Sequence, residues 1–243
     1  MIYFVGAGSG APDLITVRGA RLLSEADVIV YAGSLVNPAL LDYKKDGCEV
    51  YNSAKMTLEE VIAVMAPAAK AGKTVVRLHT GDPCVYGAHR EQMDELDRLG
   101  LAYEVCPGVS SFCGAAAALK AEYTLPNVSQ SVILTRMEGR TPVPEKEQIE
   151  SFAAHGATMV IFLSAGQLAR LSERLIAGGY APDTPVQGHL AGRKGRADNG
   201  RRPRRSRCAR GHHQDRAHHG RRVSRHRVRA LQAVRPDLYD RIS

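Results

Sequence analysis

Residue 188 divides this chain into two chemically different polymers. From Gly188 to Ser243 there are 16 Arg and one Lys against four Asp and no Glu, a net charge of +13. The whole chain carries +8, which leaves −5 for residues 1–187. A run at +13 is not expected to build a sheet core, because unpaired buried charge costs too much. The fold is therefore expected from residues 1–187; a chain of 243 residues is long enough for one large domain or two small ones, each with its own core. The overall basicity, which on its own suggests a nucleic-acid or membrane partner, belongs to the tail alone.

Other classes are narrowed in the same way. Cys48, Cys84, Cys106, Cys113 and Cys208 form no C-x-x-C pair, so neither a zinc ribbon nor a redox motif is offered. Such scattered thiols suit a reduced, cytoplasmic protein. Met1 runs straight into Ile-Tyr-Phe-Val-Gly without a charged region ahead of a long apolar one, so no secretory signal is expected. The most apolar stretch, Val105 to Leu119, is interrupted by Pro107, Gly108 and Gly114 and is too short to span a bilayer. No metal is expected, since the His pairs at 212–213 and 218–219 lack acids or Cys to complete a ligand set.

Strands and helices alternate along the body. The apolar runs Ile2–Val5, Asp27–Tyr31, Thr74–Leu78, Tyr103–Val105, Ser131–Arg136 and Thr158–Leu163 read as strands. Between them, helical spacing covers Leu14–Ala26, Leu58–Ala71, His89–Leu99, Phe112–Ala121, Glu145–Ala154 and Leu168–Ala177. This is the pattern of parallel α/β architecture. A soft boundary near residue 110 gives an N-terminal α/β domain over 1–110 and the start of a second over 111–187.

Three glycine-containing loops follow strands, the place where open α/β sheets bind ligands. Gly6-Ala7-Gly8-Ser9-Gly10 follows the first strand and opens a helix; its glycines permit a tight turn and a close backbone approach. A dinucleotide fingerprint is one reading. It also requires an acid at the end of the second strand to hold a ribose, and that strand ends Val30-Tyr31-Ala32-Gly33. A nicotinamide-linked oxidoreductase is disfavoured accordingly. Thr80-Gly81-Asp82-Pro83 and Cys106-Pro107-Gly108-Val109-Ser110-Ser111 are the other two loops. Each is open to a purely structural reading, with Asp82 as a helix or turn cap. Three together at strand ends are harder to explain by turn chemistry.

The ordered set Val5–Thr16, Arg77–Gly87 and Pro107–Ser111 resembles the successive motifs of the tetrapyrrole (corrin/porphyrin) methyltransferases. Tyr31–Val36 and Ser131–Glu145 resemble one branch, which methylates carbon 11 of precorrin-4 in cobalamin biosynthesis. A cobalt-containing form of the same step is the alternative within the family. The resemblance spans residues 1–186 and implies two α/β domains with a cofactor cleft between them, S-adenosylmethionine (SAM) as methyl donor, and a homodimer. Position by position, it places SAM contacts at Pro12, Thr80, Gly81, Asp82, Ser110, Ser111 and Leu163, joined by Gly8 and Gly10 of the first loop. One departure is visible: many relatives have Pro-Gly-Asp where this chain has Ser9-Gly10-Ala11.

Chemistry of this kind asks little of side chains beyond positioning and exclusion of water, because the sulfonium is already activated. A tetrapyrrole carries many carboxylates, which Arg and Lys bind by charge-assisted hydrogen bonds. Arg18, His79, Arg90, Lys120, Arg136 and Arg140 flank the loops and are the substrate-binding candidates. No general base is identified.

The tail admits two readings. As a basic arm it would bind nucleic acid through counterion release, though Tyr239 is its only aromatic for base stacking. As a GC-rich gene read out of frame it makes a sharper statement. A codon string that encodes Gly211–Arg222 reads, one base forward, as Ala-Ile-Thr-Lys-Thr-Ala-Leu-Ile-Met-Val-Gly, the apolar run of a buried strand. The same offset turns Ala230–Pro236 into Arg-Ser-Lys-Leu-Tyr-Asp and Gly188–Gly192 into Ala-Thr-Trp-Pro. All three resemble the C-terminal part of the same family. The expectation is a single insertion or deletion near Val186–Gly188, a tail that is disordered or poorly packed, and weak activity or none.

Overall fold

A computed structural model describes residues 1–139, 141–187 and 230–231. The chain divides into two compact units, one formed by Met1–Ala118 and one that starts at Leu119. The sequence places the boundary near residue 110, and the division here leaves the Ala-rich helix after the third glycine loop, up to Ala118, with the first unit.

In the first unit the order is β1 (Ile2–Gly6), α1 (Val17–Glu25), β2 (Val28–Tyr31), β3 (Glu49–Asn52), α2 (Leu58–Lys70), β4 (Val75–His79), α3 (Arg90–Arg98), β5 (Tyr103–Cys106) and α4 (Ser111–Leu119). The strands form one parallel sheet in the order β3-β2-β4-β1-β5. Central strands of such a sheet are covered on both faces, so they need unbroken apolar runs. β4 is buried at all five positions, and β1 at four of five. One face packs Val5, Leu22, Leu23, Ile29, Leu40 and Leu78 against α1. The opposite face packs Ile2, Phe4, Val30, Val61, Met65 and Leu96 against α2 and α3.

The chain leaves β1 in one direction along the sheet and leaves β4 in the other. Neighbouring β1 and β4 therefore mark a topological switch point, where a crevice opens beyond the strand ends. Register places Gly6 beside His79 and Val5 beside Cys106, so the loops after β1, β4 and β5 emerge next to one another.

The second unit contains β6 (Val132–Arg136), α5 (Ile149–Ala153), β7 (Thr158–Phe162), α6 (Leu168–Ala177), β8 (Val186–Gln187) and β9 (Ala230–Leu231). Its sheet runs β6-β7-β9-β8, with every pairing parallel. Met137, Ile149, Met159, Ile161, Leu171 and Leu175 form its core.

Several elements differ from expectation. The helix expected from Leu14 begins at Val17, after a 3-10 turn at Pro12–Leu14, because the Thr16 side chain caps it by accepting from Gly19 N at 3.0 Å. The helix over Glu145–Ala154 is a 3-10 turn followed by the short α5. β3 was not expected. Neither were β8 and β9, of which β9 draws on a short uncharged run inside the Arg-rich stretch. Apart from β9, the segment to which the out-of-frame expectation applies lies outside the described residues, as does Arg140.

Candidate active site

The three glycine loops converge on a backbone contact in which no side chain takes part. A Cβ on Gly6 would lie 2.5 Å from Gly108 Cα and 2.6 Å from Gly81 O; one on Gly108 would lie 2.3 Å from Gly81 O. Only glycine fits at such separations. Gly8 and Gly81 pair as an isolated antiparallel bridge, with N···O distances of 3.2 and 3.0 Å, and Ala7 N donates to His79 O at 2.7 Å. Gly8 and Gly81 have φ of 78° and 62°, in the left-handed region that glycine enters without strain.

Asp82 completes the junction. Its Oδ2 accepts from Gly108 N at 2.9 Å and its Oδ1 from Cys84 N at 2.8 Å. The carboxylate therefore ties the second loop to the third. On the first loop, Asn37 Nδ2 donates to Gly10 O at 2.9 Å. Ser110 is buried, and its carbonyl accepts from Cys113 N at the first turn of α4. Gly8, Gly10, Thr80, Gly81, Asp82, Ser110 and Ser111 thus lie along loops held together within the first unit, and Pro12 opens the 3-10 turn that follows the first of them. Leu163 belongs to the second unit, directly after β7. It is 71% exposed at φ 57°, an uncommon conformation for Leu and one that often accompanies a functional constraint.

The substrate-binding candidates fare differently. His79 is a correction: at 3% exposed, with its ring packed on Phe4 and His89, it offers nothing to an external carboxylate. Its strand is central, so odd positions on β4 point into the core rather than outward. Arg136 is committed to its own loop. Its guanidinium donates to the carbonyls of Met137 (3.1 Å), Thr141 (3.2 Å) and Pro142 (2.8 Å) and to Thr141 Oγ1 (3.0 Å). Arg18 and Arg90 are exposed but ion-paired, with Glu104 and Asp94 respectively. Lys120 sits at φ 50° just past α4.

A model of the Tetrapyrrole (Corrin/Porphyrin) Methylases matches residues 1–188. The chain belongs to the tetrapyrrole methylase family. It is 56% identical over 185 residues to a cobalt-precorrin-4 C(11)-methyltransferase of Methanocaldococcus jannaschii, covering 76% of this chain and 71% of that protein. It is 47% identical over 186 residues to a precorrin-4 C(11)-methyltransferase of Mycobacterium tuberculosis, covering 76% and 74%. Among solved structures it is similar to a cobalt precorrin-4 methyltransferase, with a TM-score of 0.73, 49% identity and coverage of 76% and 77%. It is also similar to a uroporphyrin-III C-methyl transferase from Thermus thermophilus complexed with S-adenyl homocysteine, with a TM-score of 0.62, 30% identity and coverage of 76% and 75%.

The methylase fold explains why side chains are few at the junction: contacts that glycine backbones make cannot be read from residue chemistry. Sequence reasoning missed Asn37, whose bond to Gly10 has no local signal, and the buried Arg77–Gln92 pair beneath the loops. Among the described residues no cluster of three or more metal-ligating side chains occurs, and no helix is long and apolar enough to cross a membrane.

Proposed function

We propose that this methylase transfers the methyl group of SAM to carbon 11 of precorrin-4, a step of cobalamin biosynthesis. The observation that carries the reading is the three-way glycine contact of Gly6, Gly81 and Gly108 at the β1/β4 switch point. A cradle of bare backbone suits a ligand held by amide N–H and C=O groups. The second strand supplies no ribose acid, as a nicotinamide dinucleotide requires.

When bound, SAM would supply an activated methyl: an electron pair of the macrocycle carbon would form the new C–C bond, the C–S pair would stay on sulfur, and the positive charge passed to the macrocycle would leave as a proton. The chain's own residues position and enclose. Asp82 holds Gly108 against Gly81, which fixes the backbone groups that face the ligand. Ser110 lies just before α4 and Ser111 opens it, so the N-terminal end of that helix lies at the same junction. Preorganisation of this kind lowers the barrier by positioning the reacting atoms.

The higher identity to the cobalt-precorrin-4 relative favours a second reading, in which the substrate macrocycle carries cobalt. Competition between the metal-free and cobalt substrates in one assay decides between them. A homodimer belongs to the same proposal and is checked by light scattering.

The tail is proposed to be out of frame. The family match ends at residue 188, where the charge changes sign. Sequencing the DNA across codons 186–188 tests this; a continuous frame in different codons contradicts it. Calorimetry tests the reading of the body: S-adenosylhomocysteine (SAH) binds and NAD does not. The reverse result supports the oxidoreductase instead.

A further inference from the structure

Arg77 and His79 are two residues apart on β4, so both leave the sheet on the face covered by α2 and α3. Arg77 is 6% exposed and His79 3%. Arg77 donates to Gln92 Oε1 at 2.9 Å and to the Val30 carbonyl at 3.1 Å; neither partner is a carboxylate. Burial lowers its guanidinium to about 10, still charged at neutral pH. Gln92, on α3, passes the contact on: its Nε2 donates to the Ala88 carbonyl at 3.1 Å. The His79 ring is engaged by the Gly87 backbone, while its Nε2 has no partner.

An apolar pair would fill this space at less cost, so the polar groups call for another reason. What they hold are two consecutive carbonyls, those of Gly87 and Ala88, at the end of the loop that starts with Asp82. That loop is strained. Tyr86 and Ala88 lie at φ 55° and 47°. Gly87 packs so tightly that a Cβ there would meet Pro83 O at 2.0 Å. Pro83 adjoins Asp82, and Asp82 holds Gly108.

We propose that Arg77, Gln92 and His79 are positioning residues for SAM binding, which clamp the Gly87 and Ala88 carbonyls so that Asp82 keeps Gly108 in the three-glycine contact. The inference rests on the methyltransferase reading. Gln92→Glu separates it from a merely structural role, since a carboxylate still accepts from Arg77 and gives it a counter-charge, yet donates nothing to Ala88. His79→Phe keeps the ring packing on Phe4, removes the unpartnered nitrogen and cuts the tie to Gly87.

In the full chain both variants are expected to unfold at or above the parent temperature, to within about 2 °C. Their SAH dissociation constants are expected to rise roughly threefold to tenfold, the loss of one hydrogen bond's worth of positioning. Amide exchange across residues 83–89 is expected to quicken. Unchanged SAH affinity in folded variants overturns the inference. If Gln92→Glu does not fold, His79→Phe decides by the same measurements. If neither the parent chain nor a version with the reading frame restored after residue 187 binds SAH, the methyltransferase reading itself is contradicted, and this inference with it.

Discussion

Asp82 Oδ2 accepts a 2.9 Å hydrogen bond from Gly108 N, joining two loops that lie 26 residues apart in sequence. Asp82→Asn keeps one oxygen and turns an NH2 group toward one of the two N–H donors. The variant is expected to lose about 1–3 kcal/mol and to bind SAH more weakly. Chemical denaturation and calorimetry on the same preparation check both effects.

Gly108→Ala is expected to be worse. The new methyl would lie 2.3 Å from Gly81 O and 2.7 Å from Gly6 Cα, so backbone must move on two sides. A cost of about 1–3 kcal/mol or more is expected, together with loss of SAH binding. Gly166→Ala meets nothing within 4 Å and is the control. It should fall within about 0.5 kcal/mol of the parent.

His79 gives the first unit an acid sensitivity. Burial, helped by Arg77 and His89, lowers its pKa from 6.5 to about 3. Between those values the unfolded chain binds a proton that the folded chain does not. This contribution to stability is therefore complete above pH 6.5 and is lost toward pH 3, at up to about 1.4 kcal/mol per pH unit. Carboxylates titrate in the same range, so the measurement is the difference between the parent and His79→Phe. The variant should lose less stability from pH 7 to pH 4; equal losses contradict the assignment.

In the second unit, Arg174 bridges Glu138, just after β6, to Glu150 on α5. Its guanidinium is held above its ordinary pKa, first by the hydrogen bonds it donates to Glu150, and both carboxyls are held below theirs. Arg174→Met leaves two acids without this partner. Because Glu150 is more than a third exposed, the expected loss is discounted to about 1–2 kcal/mol. The bridge's contribution is present above the ordinary carboxylate pKa and lost as pH falls through the lowered values. The difference between parent and variant should therefore shrink in acid, as thermal melts at pH 7 and pH 3 will show.

The most legible strands of this fold are those buried on both faces. β1 and β2 announce themselves as apolar runs that end at turn residues, and β4 through the apolar positions Val75, Val76 and Leu78. β3 does not, because Glu49-Val50-Tyr51-Asn52 is an edge strand with mostly exposed side chains. The glycine loops were found because only glycine allows their approach, yet their mutual contact depends on the register of three strands. Arg77 and His79 look like surface residues by type, and only their central strand makes them core. Arg136 looked like a free cation, but its partners are carbonyls of its own loop, and carbonyls leave no trace in sequence. Leu163 was expected to end a strand; its left-handed turn has no residue code outside glycine and asparagine.

The most direct measurement is incubation of precorrin-4 with SAM carrying a 13C-labelled methyl group, using this chain and a version with the reading frame restored after residue 187. Carbon NMR of the product should show the label at carbon 11, with the restored version the faster of the two. Label at any other carbon, or no transfer by the restored version, contradicts the assignment.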